Sequence, residues 1–147
     1  MSRSREMSFA VVISMSIAAA VVAAIGVTPR GTPQQKGGWT LPADAADTKS
    51  PLTVDDKVLA IGKKVYTDKC QKCHGPKGLG DGPDADPDHA EDMNLTNPKR
   101  ADRNPDGVVF YKVSNGRRSP KMPAFKDQLS AEQIWSVVAY AQSLRKK

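Results

Sequence analysis

Apolar positions recur at helical spacing in only a few stretches of the chain. Val58, Ile61 and Val65 lie on one face between Thr53 and Asp68 and predict a first helix, with Thr53 or Asp55 available as its cap. Asn104-Pro105 reads as a second helix start with Pro at the first helical position; Val108, Val109, Tyr111 and Lys112 follow, and Asn115-Gly116 supplies a stop. The clearest element is the last. Ser130-Ala131-Glu132-Gln133 is a capping box; Ile134, Val137, Val138, Ala141 and Leu144 form one apolar stripe, and Arg145, Lys146 and Lys147 suit the negative end of a helix. Neither a strand pattern nor an internal repeat is present, so the fold class expected is all-α.

Elsewhere the pattern is different. Met7 to Val27 is an uncharged run of 21 positions rich in Ala, Val and Ile, preceded by Arg3 and Arg5. A signal-peptide core needs ~7–15 apolar residues and a membrane span ~20, so run length favours an anchor, while Val22-Ala23-Ala24 offers a small-residue cleavage site. Both readings export the rest of the chain. No Cys lies near this segment and Ser4 separates the two arginines, which excludes a lipid anchor on cysteine and a twin-arginine signal. From Thr28 to Pro51 Pro, Gly, Gln and Thr dominate without a period, the composition of a flexible linker spanning on the order of 25–30 Å. Trp39 stands alone within it and reads as an incidental exposed or interface-seeking ring. The expected organisation is residues 1–29 as anchor or signal, 30–51 as linker and 52–147 as the domain.

Composition narrows the choice. Aromatic residues are 5% of the 147, too few to fill an interior easily, and a buried prosthetic group would supply the missing bulk. A net charge of +6 is scattered over the chain and partly answered by acids, unlike the basic stripes of nucleic-acid binders. The segment from Gly75 to Pro105 is rich in Pro and Gly and has no period, and loops of that length need something inside to organise them.

The two cysteines lie three positions apart, too close for a useful structural disulfide. They belong to Cys70-Gln71-Lys72-Cys73-His74. Two thiols at this spacing can each add to one vinyl group of a haem, and the next residue then presents an imidazole to the iron, which is the c-type attachment pattern. A zinc site would need a second ligand pair, and a thiol redox pair should open a helix after a strand rather than end one. For a sixth iron ligand the candidate is Met122, stiffened by Pro120 and Pro123; His89 and Met93 are its competitors. Asp84, Asp86 and Asp88 alternate in an acidic run, a weaker hint of calcium.

These residues resemble class I cytochromes c, and the resemblance covers nearly all of 52–147. Ile61-Gly62-Lys63-Lys64-Val65-Tyr66 ahead of Cys70 is similar to the family's first helix. Gly75-Pro76-Lys77-Gly78-Leu79-Gly80-Asp81-Gly82-Pro83 is similar to the glycine-rich run after the haem motif. Met122-Pro123-Ala124-Phe125 with Leu129 to Trp135 is similar to the methionine loop and last helix. The resemblance implies one covalent haem c held by Cys70, Cys73, His74 and Met122, a close crossing of Gly62 with Tyr140, and a Pro carbonyl in the long loop accepting the His74 N–H. The acidic stretch before Asn94 departs from the family's pattern.

A filled coordination sphere implies outer-sphere electron transfer rather than substrate chemistry. Five basic residues (Lys112, Arg117, Arg118, Lys121 and Lys126) surround Met122 without an intervening acid. They predict docking to an acidic surface on a redox protein partner, with the membrane as a second partner through the N-terminal segment and the haem domain in the periplasm or an equivalent space.

Overall fold

The computed structural model describes residues 38–146. The chain forms six α-helices among these residues: α1 (Asp56–Lys69), α2 (Gln71–His74), α3 (Ala90–Met93), α4 (Pro98–Ala101), α5 (Asp106–Asn115) and α6 (Ala131–Ser143), with 3₁₀ turns at Pro87–His89 and Leu144–Lys146. Among the described residues there is no strand; an isolated bridge pairs Arg117 with Met122. The all-α expectation holds.

Local chemistry sets the helix ends. Asp55, not Thr53, caps α1 by accepting from the Val58 N–H at 2.8 Å. The capping box at Ser130 is formed, with Ser130 Oγ accepting from the Gln133 N–H and Gln133 returning the bond to the Ser130 N–H. α5 begins one residue later than expected, with Pro105 as its N-cap, and ends at Gly116 with φ +58.

α1 and α6 make the main helix contact of the molecule. They approach so closely at Gly62 that a Cβ there would overlap the Ser136 carbonyl and lie 2.9 Å from Tyr140 Cβ. Tyr66 and Tyr140 then meet ring to ring at 5.3 Å. The core joins Val65 and Tyr66 of α1 to Val113 of α5, Phe125, and Ile134, Val137 and Val138 of α6. Trp135, outside the expected apolar stripe, is buried as well and stacks on Phe110 at 4.1 Å. α6 is therefore covered on more than one face, by α1 and α5 together.

The long segment after the haem motif is not featureless. Its single-turn helices α3 and α4 are each capped or hydrogen-bonded locally, Asn97 accepting from the Lys99 N–H at the start of α4. The Leu95 N–H donates to the Gly78 carbonyl at 2.7 Å and the Asp84 N–H to the Lys72 carbonyl at 2.8 Å, so the loop is pinned back onto the motif it follows.

The part of the expected linker that is described does not behave as one. Residues 38–51 lie on the helical domain, and Trp39, Leu41 and Ala45 form a second core cluster with Val108. Trp39 is only 8% exposed, which corrects the reading of it as an incidental surface ring. Its ring is covered because Lys112 and Arg117 stand against it, at 5.1 Å and 4.9 Å from the ring centre. The expected anchor or signal, residues 1–29, falls outside the described residues. Among the described residues no helix is long and apolar enough to cross a membrane.

Candidate functional site

A cavity of about 290 Å³ opens between α6, α5, the long loop and the loop carrying Met122. Cys70, Cys73, His74 and Met122 all line it. Its apolar walls come from Tyr66, Leu95, Val109, Val113, Phe125 and Val137. Two distant stretches of sequence thus present their donor atoms to one space.

Cys70 closes α1 and opens α2, its carbonyl accepting from the N–H groups of both Cys73 and His74. One turn of helix therefore carries both thiols and the imidazole. Burial pushes the Cys70 thiol up to about 12, with a further contribution from Cys73.

His74 Nδ1 lies 2.7 Å from the Met93 carbonyl oxygen. A carbonyl only accepts, so Nδ1 carries the proton and, in the neutral ring, Nε2 keeps its lone pair. Burial lowers the pKa of His74, and the Met93 bond only partly opposes it, so the neutral form that metals bind is favoured. The acceptor is a methionine carbonyl, where the family resemblance implied a proline. The acidic stretch coils into α3 before Asn94 and brings the last residue of that helix behind the imidazole.

Met122 sits in a frame built by main chain. Its N–H donates to the Arg117 carbonyl at 3.0 Å and its carbonyl accepts from the Arg117 N–H at 2.8 Å, closing a tight loop. The Phe125 N–H then ties the loop to the Val113 carbonyl at 3.0 Å. Gly116 permits this, because a side chain there would collide with the Met122 carbonyl. Met122 packs against both core clusters. The competitors are placed differently. His89 is paired with Asp86 at 2.9 Å and does not line the cavity. Met93 lines the cavity, but its carbonyl holds the His74 side.

One wall is cationic. Arg100, Lys112, Arg117 and Arg145 line it, and Asp92 is the carboxylate among them that is not exposed. Asp92 bridges Arg100 at 2.6 Å and Arg117 at 3.1 Å. Lys112 donates to Asn104 Oδ1. Burial, with Arg100 and Arg117 nearby, pushes the Lys112 ammonium down to about 8. Two members of the basic patch expected on the surface, Lys112 and Arg117, are therefore turned inward. They sit on α5 and at the loop's start, where a count of charges along the chain does not reveal which face they take. Arg100 and Arg145 join the wall without any sequence signal that marks them. Exposed Lys69, Lys72 and Lys121 line the cavity instead at its mouth.

The donor set fits a covalent haem: two free thiols, one neutral imidazole and one thioether around an apolar space with a positive wall. It does not resemble a chelate of acids; among the described residues no three His, Cys, Asp or Glu are grouped to hold a metal ion, and Asp84, Asp86 and Asp88 do not converge.

Residues 57–140 match the family model described as Cytochrome C oxidase, cbb3-type, subunit III, which is more than half of the chain. The chain belongs to this family of c-type cytochromes. Membership brings covalently bound haem c. Two solved structures are similar to the cytochrome. One is a chain of the Kuenenia stuttgartiensis reducing HAO-like protein complex Kustc0457/Kustc0458, 30% identical, covering 65% of this chain and 47% of that chain, with TM-score 0.54. The cytochrome thus spans about half the length of that neighbour. Another is the KustC0563 c-type cytochrome, 25% identical over 58% of this chain and 94% of that chain, with TM-score 0.43. No curated protein sequence matches the chain.

Proposed function

We propose that the chain carries single electrons between redox proteins at one haem c, which Cys70 and Cys73 would hold covalently and whose iron His74 and Met122 would ligate. The observation that carries this reading is the His74 ring, held by the Met93 carbonyl so that Nε2 is left as donor beside both thiols and Met122. The haem supplies the redox-active iron. The chain's residues do the rest. Cys70 and Cys73 fix the group covalently, Met93 sets the imidazole's tautomer, the Arg117–Met122 loop holds the thioether, and the apolar walls keep water away. A filled coordination sphere limits the chemistry to electron transfer.

The rim supports docking to an acidic partner surface. Lys69, Lys72 and Lys121 stand exposed at the cavity mouth, and Arg118 and Lys126 are exposed near Met122 in sequence. Opposite charge steers encounter, and salt screens it. The family's description as an oxidase subunit and the neighbour's membership of a complex support a second form of the same reading, in which this domain is the electron-entry subunit of an assembly. The run from Met7 to Val27 supports a domain exported to the periplasm or an equivalent space and held at a membrane.

The test is a visible spectrum of the matured protein with and without Met122→Ala. Reduced c-type bands in both, and a weak Met–iron charge-transfer band that the substitution removes, are expected. An unchanged charge-transfer band places the sixth ligand elsewhere. Ready carbon monoxide binding by the unsubstituted protein would instead favour a gas-binding haem with a labile sixth ligand. For docking, the stopped-flow rate with an acidic redox partner should fall as ionic strength rises, and a salt-independent rate removes the docking claim.

A further inference from the structure

The family match begins at residue 57, yet the cavity wall includes Trp39. The ring arrives on a strap, residues 38–48, that the matched region does not contain. Leu41 and Ala45 fasten the strap to Val108 of α5. A side chain at Gly107 would collide with the Ala45 and Thr48 carbonyls, so the strap crosses α5 at backbone contact. The Ala45 N–H donates to the Pro42 carbonyl and the Thr48 N–H to the Asp44 carbonyl, which folds the strap back on itself beyond Trp39. The strap is thus held at several points besides the ring.

Its near end lies on the methionine loop. Met122 packs against the cluster of Trp39, Leu41, Ala45 and Val108, and a Cβ on Gly38 would stand 3.6 Å from the Ser119 carbonyl oxygen. The Trp39 ring also lies 4.9 Å from Arg117 Cζ, and Arg117 is the residue whose main chain pairs with Met122 in both directions. Arg117 Nε in turn donates to the Pro120 carbonyl across the loop. One ring therefore bears on Met122 and on the residue that closes the loop around it. Past Met122 the loop is tied to α5, where the Phe125 N–H donates to the Val113 carbonyl. Gly38 and Trp39 restrain the stretch before it, which carries Ser119 and Pro120.

We propose that the strap is a clamp on the methionine loop and that Trp39 is a positioning residue, keeping the Met122 thioether in the cavity so that small ligands do not reach the iron. The inference rests on the reading of Met122 as axial ligand above. A thioether is a neutral donor, and outer contacts that orient a metal ligand are commonly worth about ten- to a hundredfold in metal affinity. A small ligand that binds only when the loop is open binds in proportion to the open population. Loosening the loop thus turns a closed electron carrier towards gas binding. The strap, which lies outside the matched region, opposes that change.

The experiment uses the full chain, matured with haem, as wild type, Trp39→Ala, Trp39→Phe, Gly107→Ala and Ser130→Ala. Haem content is read from the pyridine haemochrome and helix content from far-ultraviolet circular dichroism. Loop opening is read from the rate of carbon monoxide binding to the reduced protein. Trp39→Ala should bind carbon monoxide about ten- to a hundredfold faster with its helix content unchanged. Gly107→Ala, which pushes on the strap at Ala45 and Thr48 rather than at the ring, should also speed binding. Trp39→Phe should recover most of the wild-type rate. Ser130→Ala weakens the cap of α6 without touching the strap and should keep the wild-type rate. A wild-type rate in matured Trp39→Ala or Gly107→Ala overturns the proposal. An equal rise in Ser130→Ala overturns it as well, because the effect would then be one of general stability. If the strap variants fail to mature, hydrogen exchange of the wild type decides: the Ala45, Thr48, Arg117 and Met122 N–H groups should share one opening free energy, and separate values for strap and loop overturn the clamp. Fast carbon monoxide binding by the wild type, or the lack of its Met–iron charge-transfer band, is a different failure, that of Met122 as ligand.

Discussion

Cys70 and Cys73 sit within one helical turn, but Cys70 is additionally wrapped by the end of α1, and burial raises its thiol to about 12. A thiol reacts as its thiolate. In the haem-free protein, alkylation at Cys70 is therefore expected to keep accelerating well above the ordinary value of 9.0, as read by peptide mass spectrometry across a pH series. A rate that levels off near that ordinary value would show the site to be open. Tyr66 offers a second test. Its buried hydroxyl donates to the Gly75 carbonyl at 2.7 Å, just past the haem motif. Tyr66→Phe strands that carbonyl and should cost about 1–3 kcal/mol in denaturant unfolding. At this scale the sequence singles out side chains by type and spacing, and the four it marks, Cys70, Cys73, His74 and Met122, all line one cavity. It is silent on the Met93 carbonyl, since every residue has one and no side chain marks which is used.

Helices are legible in proportion to their length. α1 and α6 run 14 and 13 residues, enough turns for a stripe to repeat, and both carry side-chain caps. α3 and α4 have 4 residues each, too few for any period to show, and they form because the chain folds back on the haem motif. Trp135 lies off the stripe of its own helix, and its burial depends on Phe110 of another. The α1–α6 crossing makes a sharp prediction. Gly62→Ala would drive a methyl group into the Ser136 carbonyl, and overpacking of this kind costs roughly 1–3 kcal/mol, with separation of the two helices as the alternative. A chemical denaturation midpoint equal to wild type would mean the crossing is looser than described. Ser130→Ala, which removes half of the capping box, should cost about 1 kcal/mol by the same measurement.

Across the whole molecule, Asp92 joins three separate segments: its own α3, Arg100 of α4, and Arg117 at the start of the methionine loop. Burial alone would raise its pKa, but hydrogen bonds from Arg100 and Arg117 outweigh that and lower it below the ordinary 3.8. A carboxyl with a depressed folded value contributes stability that is full above its unfolded value and lost as pH falls through the folded one. Wild type should therefore lose stability below about pH 4, whereas Asp92→Asn should be weaker by about 1–3 kcal/mol at neutral pH and flatter in acid; equal acid slopes in calorimetry would refute this. The strap marks the limit of what the chain alone discloses. A lone Trp39 among Pro and Gly has no period, and the groups that bury it lie on α5 and beyond, in a distant part of the sequence. Finally, the acceptor behind His74 belongs to the main chain. Point substitutions at position 93 can change what the cavity feels, more polar or less, while the imidazole keeps its grip. Evolution can thus adjust the surroundings of the iron there without risking the orientation of the ligand.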